Sequence, residues 1–76
     1  MKKMKLPTKQ EIGFQIYKYR IKAGLSLSQL AKEIAITPTS LFNIETGINY
    51  PRFETLYKLA LRFDTFIDEV IKGKLK

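Results

Sequence analysis

The chain has no cysteine and no histidine. Disulfide staples, a zinc site built from the usual ligands, and catalysis through a cysteine or histidine are therefore excluded. No apolar run approaches the roughly 20 residues of a membrane span, and the opening MKKMKLPTK lacks the apolar centre of a signal peptide. A cytoplasmic location is the expectation. Paired catalytic carboxylates, a Gly-rich phosphate loop and a nucleophile with its base are all missing, so no enzyme, cofactor, metal or small-molecule ligand is expected. Acidic residues are scarce as well: seven Asp and Glu face fourteen Lys and Arg, a formal charge of +7. Such an excess favours a polyanionic partner, foremost a nucleic acid.

What remains is a chain of 76 residues, 45% hydrophobic and 28% charged, which reads as one globular domain. Its core is small enough that association between copies could add stability. Residues 1–7 form a basic arm, 8–72 the domain and 73–76 a basic tail. Lysines at the ends (Lys2, Lys3, Lys5, Lys9, Lys72, Lys74, Lys76) also serve solubility.

Helix boundaries are written in the polar residues. Thr8 with Glu11, and Ser26 with Gln29, stand at capping-box spacing, while Thr37 before Pro38 is a cap followed by the residue best tolerated at the first helical position. A first helix of about Lys9 to Ala23 stops at Gly24 and turns Ile12, Ile16, Tyr19 and Ala23 inward. Phe14, Tyr17 and Ile21 fall off that stripe, as peripheral core or as exposed surface. After Asn49, Tyr50 and Pro51 in a loop, a fourth helix of about Phe53 to Phe63 buries Leu56, Leu59, Ala60 and Phe63 and is broken by Asp64 and Thr65. A fifth, Phe66 to Lys72, offers Ile67, Val70 and Ile71 to the core. No segment sustains a period of two, so the fold class is all-α with five helices.

The segment of residues 26–46, with the closing Gly47, is the most specific. In SLSQLAKEIAITPTSLFNIETG, apolar residues fall at Leu30, Ile34, Ile36, Leu41 and Ile44, with small Ala31 where two helix axes cross. Two short helices joined by a tight turn have the spacing that a DNA major groove requires. The flanking pieces IYKYRIKAGLS, YPRFETLYKLALRF and IDEVI follow in order, with Arg20, Leu30, Ala31, Glu45, Gly47 and Pro51 in register. Over Ile12 to Ile71 the chain resembles the phage-repressor helix-turn-helix family, of lambda repressor and Cro type (the XRE family).

That resemblance implies a compact five-helix lambda-repressor-like domain. It also implies a sequence-specific transcription regulator, a repressor that occupies an inverted-repeat operator in double-stranded DNA as a homodimer. Carried onto this sequence, the base-reading positions are Pro38, Thr39, Ser40, Phe42 and Asn43. Asn43 is favoured because its amide can pair with adenine N6 and N7. Phosphate contacts fall to Arg20, Ser26, Ser28, the backbone around Gly47, Asn49, Tyr50 and Arg52. Arg20 and Glu45 resemble the family's buried ion pair, and Phe66 with Ile67 marks the dimer contact at the corner of the fourth and fifth helices.

The chain departs from the family's pattern at three places. Leu27 replaces the usual Gln, Ala35 stands where Gly makes the turn, and the reading helix has no Lys, Arg or Gln. The alternative function is a protein-interaction module, an antitoxin or restriction-modification controller, in which the exposed Phe42 docks a partner. Only residues 72–76 follow Ile71, which leaves little for the toxin-wrapping segment an antitoxin carries.

Overall fold

The computed structural model describes residues 7–65 and 67–72, in which the side chains of Asp68 and Lys72 are not included. The arm up to Leu6, the tail 73–76 and Phe66 lie outside the described residues. Within them the chain is helical and has no strand: α1 (Lys9–Lys22), α2 (Leu27–Glu33), α3 (Pro38–Glu45), α4 (Phe53–Arg62) and α5 (Ile67–Lys72).

The first three helices start where the polar residues place them. Thr8 Oγ1 accepts from the Glu11 amide at 3.1 Å while the Thr8 amide donates to Glu11 Oε1 at 2.8 Å. Ser26 and Gln29 repeat this exchange at 3.1 and 2.8 Å. Thr37 Oγ1 accepts from the Ser40 amide at 3.0 Å, and Pro38 follows as the first helical residue. Each cap is worth about 1 kcal/mol. By contrast α4 opens at Arg52 without a side-chain cap.

Four helices end in one way. The residue after each C-cap turns left-handed, at Gly24 (φ 73°), Ala35 (φ 59°), Gly47 (φ 81°) and Asp64 (φ 53°). The next amide then reaches back into the last turn: Leu25 to the Arg20 carbonyl, Ile36 to Ala31, Ile48 to Asn43 and Thr65 to Ala60, at 2.8 to 3.2 Å. Glycine takes the left-handed conformation freely. Ala35 adopts it at a cost of about 1 kcal/mol.

Each helix, or in α2's case also its cap, sends at least one fully buried side chain to a single core: Ile16, Leu30, Ile34, Leu41, Leu59 and Val70. α1 lies against α3 and α5, α2 against α3, and α4 against α5. Tyr19 stacks on Phe63 with ring centroids 5.1 Å apart. Two expected core positions differ. Ala23 is exposed, because α1 stops one residue earlier than expected and leaves Ala23 as its C-cap. Phe63 is only half-buried, since it caps α4 and shields Tyr19 from the side.

Gly13 shows how tightly α1 meets α3. It is buried, and a Cβ there would overlap the Ile44 carbonyl oxygen and lie 2.8 Å from that of Glu45. The approach of α1 to the end of α3 is possible only without a side chain at this position.

Candidate nucleic-acid interface

α3 presents two different sides. Leu41 and Ile44 point into the core, while Pro38, Thr39 and Phe42 are exposed and Asn43 is half-buried at the edge. At 100° per residue these four share the outer face. Phe42 is 51% exposed, a large apolar area that the fold itself leaves uncovered. Among the described residues the Asn43 side-chain amide has no hydrogen-bond partner, so both its donor and its acceptor are free. Ser40 lies at the flank, where its Oγ accepts from Thr37 Oγ1 at 2.9 Å and keeps its own proton to donate.

Beside α3 runs an open groove of about 680 Å³. Thr37 and Ser40 line it from the start of α3, Asn49, Tyr50 and Arg52 from the following loop, and Lys58 from α4. The structure thus brings one expected base-reading residue together with three of the expected phosphate contacts. Asn49, Tyr50 and Arg52 are all exposed, and Arg52 is not spent on capping α4. Lys9, the first residue of α1, adds a cation here: its Nζ lies 5.8 Å from the centre of the Tyr50 ring. Sequence reasoning counted Lys9 only as part of a basic end, because nothing local shows that α1 begins beside the loop.

The first three amides of the loop are occupied. The Gly47 amide donates to the Ile44 carbonyl at 3.2 Å, and those of Ile48 and Asn49 both donate to Asn43 at 2.8 and 3.2 Å. Gly47 is buried against Gln10 of α1. In the structure it ends α3 and sets the direction of the loop. At α2 Ser26 and Ser28 are both exposed; the Ser26 amide donates to Gln29 Oε1 and its hydroxyl oxygen accepts from the Gln29 amide, which leaves the hydroxyl proton free to donate.

Arg20 and Glu45 face each other squarely. Arg20 Nε donates to Glu45 Oε2 at 2.8 Å and Nη2 to Oε1 at 2.9 Å, while Nη1 donates to the Leu25 carbonyl at 3.0 Å. Their side chains are 11% and 4% exposed. The hydrogen bond to Glu45 holds the Arg20 pKa above its ordinary value against the opposing pull of burial. A guanidinium so engaged fixes α1 to the end of α3. Ile67 is half-buried and faces the core, and its expected companion Phe66 lies outside the described residues.

The helix-turn-helix family model HTH_3 matches residues 16–70. The chain belongs to this family of DNA-binding transcription regulators. Its structure is similar to that of SinR, the master regulator for biofilm formation, in complex with DNA: 30% identity over 78% of this chain and 95% of that one, TM-score 0.72. The P22 c2 repressor in complex with a synthetic operator shares the fold at 23% identity, over 86% of this chain and 98% of that one, TM-score 0.78. So does the restriction-modification controller protein C.AhdI of Aeromonas hydrophila, at 22% identity over 82% and 94%, TM-score 0.76. No curated protein matches the chain by sequence.

Proposed function

We propose that this chain is a non-enzymatic repressor that binds an inverted-repeat operator as a homodimer and acts by covering a promoter. In this reading the outer face of α3 enters the major groove. Thr39 and Phe42 meet thymine methyls, Asn43 pairs with adenine, and Pro38 and Ser40 border the contact. Asn49, Tyr50 and Arg52, with Lys9 beside them and Ser28 at the start of α2, hold phosphates on either side. Arg20 contributes through Glu45, by fixing the reading helix.

The observation that carries the reading is the side-chain economy of α3. Its inner face is consumed by the core and its last residue by Arg20, yet Thr39, Phe42 and Asn43 have no task within the fold. A net charge of +7 supplies the attraction to phosphate. No helix among the described residues is long and apolar enough to cross a membrane, in keeping with a protein that works at DNA in the cytoplasm.

Selection of bound sequences from a random duplex library tests this. The expected product is an inverted repeat whose half-sites lie about one helical turn, 10 to 10.5 base pairs, apart. Enrichment of a single unrepeated motif would contradict the homodimer, and enrichment of no motif would contradict sequence reading. The exposed Phe42 keeps a protein-docking role for the same face as the second reading. That reading expects no selected motif.

A further inference from the structure

α4 is apolar on two sides. Leu56, Leu59 and Ala60 are buried, but Phe53, Tyr57 and Leu61 follow one another at four-residue spacing on the outside and are 71, 51 and 63% exposed. Phe53 and Tyr57 stack on each other with centroids 6.4 Å apart. The exposed rings of α1 are served differently: Lys18 lies over Phe14 at 5.1 Å and Arg20 over Tyr17 at 5.4 Å. Among the described residues no cation covers either ring of the α4 stripe.

We infer that a second copy of this chain covers the stripe, α4 against α4 and antiparallel, about a two-fold axis at Tyr57. The inference rests on the homodimer reading and specifies its surface. Three features favour a second copy as the occupant. The first is register: Tyr57 stands midway between Phe53 and Leu61, so a two-fold there sets Tyr57 on Tyr57 of the other copy and Phe53 on Leu61, with no apolar residue left over.

The second is charge. Glu54, Lys58 and Arg62 lie along one edge of the stripe, spaced by four residues. Antiparallel pairing places Glu54 of one copy at a level between Lys58 and Arg62 of the other, an opposite-charge rim on both sides of the axis. Within one chain these groups are already partnered along the same edge, Glu54 with Lys58 at 3.5 Å and Arg62 with Glu33. They are therefore held near the rim.

The third is direction. The edge that carries Lys58 and Arg62 is the one that meets α2 and the turn, through Lys58 to the Ile34 carbonyl at 3.5 Å and Arg62 to Glu33. A two-fold axis through Tyr57, perpendicular to the plane of the paired helices, leaves both of these edges on one side. Both helix-turn-helix units then face the same DNA. The three side chains offer on the order of 300–400 Å² per copy, below the roughly 800 Å² per partner of a standard interface. The free dimer is accordingly weak and concentration-dependent.

Sedimentation equilibrium of the wild type and of Tyr57→Glu over a wide concentration range tests this. Circular dichroism checks the fold, and binding to a short mixed-sequence duplex, long enough for one copy, checks the DNA face. The expected result is a wild-type dimer whose dissociation constant rises by about tenfold or more in the variant, with spectrum and short-duplex affinity unchanged. Glu54→Lys weakens the dimer in the same direction. A wild-type dimer that Tyr57→Glu leaves intact overturns the α4 contact and keeps the homodimer on another surface; this is also the outcome expected if the stripe docks a different protein. A wild type that stays monomeric both free and on a selected operator overturns the homodimer itself.

Discussion

Arg20 and Glu45, 25 residues apart in the chain, meet through two parallel hydrogen bonds of 2.8 and 2.9 Å and tie α1 to the last residue of α3. The pair is almost fully withdrawn from solvent, so its value lies in not being broken. Removing one partner strands the other charge in a site that cannot hydrate it. Glu45→Ala should destabilise the fold by about 3–5 kcal/mol, read from urea denaturation. A change within about 0.5 kcal/mol would show that the pair is hydrated in solution and that the packing of α1 on α3 alone holds the two helices.

The same pair sets a pH expectation. A cation whose pKa is raised in the folded chain contributes stability that is fully present below its ordinary value and is lost only as pH rises through the folded value. For Arg20 both lie far above neutrality. The arginine side of the pair therefore adds no pH dependence near pH 7.

Gly13→Ala is the second expectation. Inside a helix this exchange ordinarily stabilises by about 1 kcal/mol. Here the new methyl group meets the carbonyls of Ile44 and Glu45. α1 and α3 must separate, and the loss should be about 1–3 kcal/mol or more. Because the displaced helix is the one proposed to read bases, operator affinity should fall in parallel with the thermal midpoint.

Ala35→Gly should behave in the opposite sense. At a φ of 59° glycine relieves the left-handed strain of alanine, and stability should be unchanged or rise by about 1 kcal/mol. The branched side chain of Ala35→Val should cost stability at the same place. A loss on going to glycine, as inside a regular helix, would mean that the turn is not strained.

These positions also show what could be read in the sequence. The starts of α1, α2 and α3 were legible because Thr8, Ser26 and Thr37 carry their own acceptors and the partner stands three residues on. The ends were legible where glycine marks them, at Gly24 and Gly47. At Asp64 the sequence signalled only a break, and at Ala35 the left-handed turn came from the family resemblance, since alanine itself announces no positive φ. Gly13 was silent, because its reason is a carbonyl contributed by a helix about 30 residues away. The outer residues of α3 were placed by the same resemblance. The groove that joins Ser40 to Asn49, Tyr50 and Arg52, and the position of Lys9 over Tyr50, depend on how α1 and the loop come together, and no local pattern encodes that.

Phosphate anchoring predicts a steep salt dependence. Each lost phosphate contact should reduce the slope of log affinity against log salt by about one. Arg52→Ala should do so while weakening operator and random DNA alike, as measured by fluorescence anisotropy across a salt series. An affinity that barely changes from low to physiological salt would leave the +7 charge without its proposed role.

Whether the free outer face of α3 reads bases is decided by Asn43→Ala. The measurement is the affinity of wild type and variant for the selected operator and for each of its single base-pair substitutions. The expected result is a loss of about 1–3 kcal/mol on the operator, confined to one position in each half-site, where the variant no longer distinguishes adenine. Binding to random duplex should be unaltered. An Asn43→Ala protein that keeps the wild-type preference at every position would contradict the account, and would assign the outer face of α3 to something other than DNA.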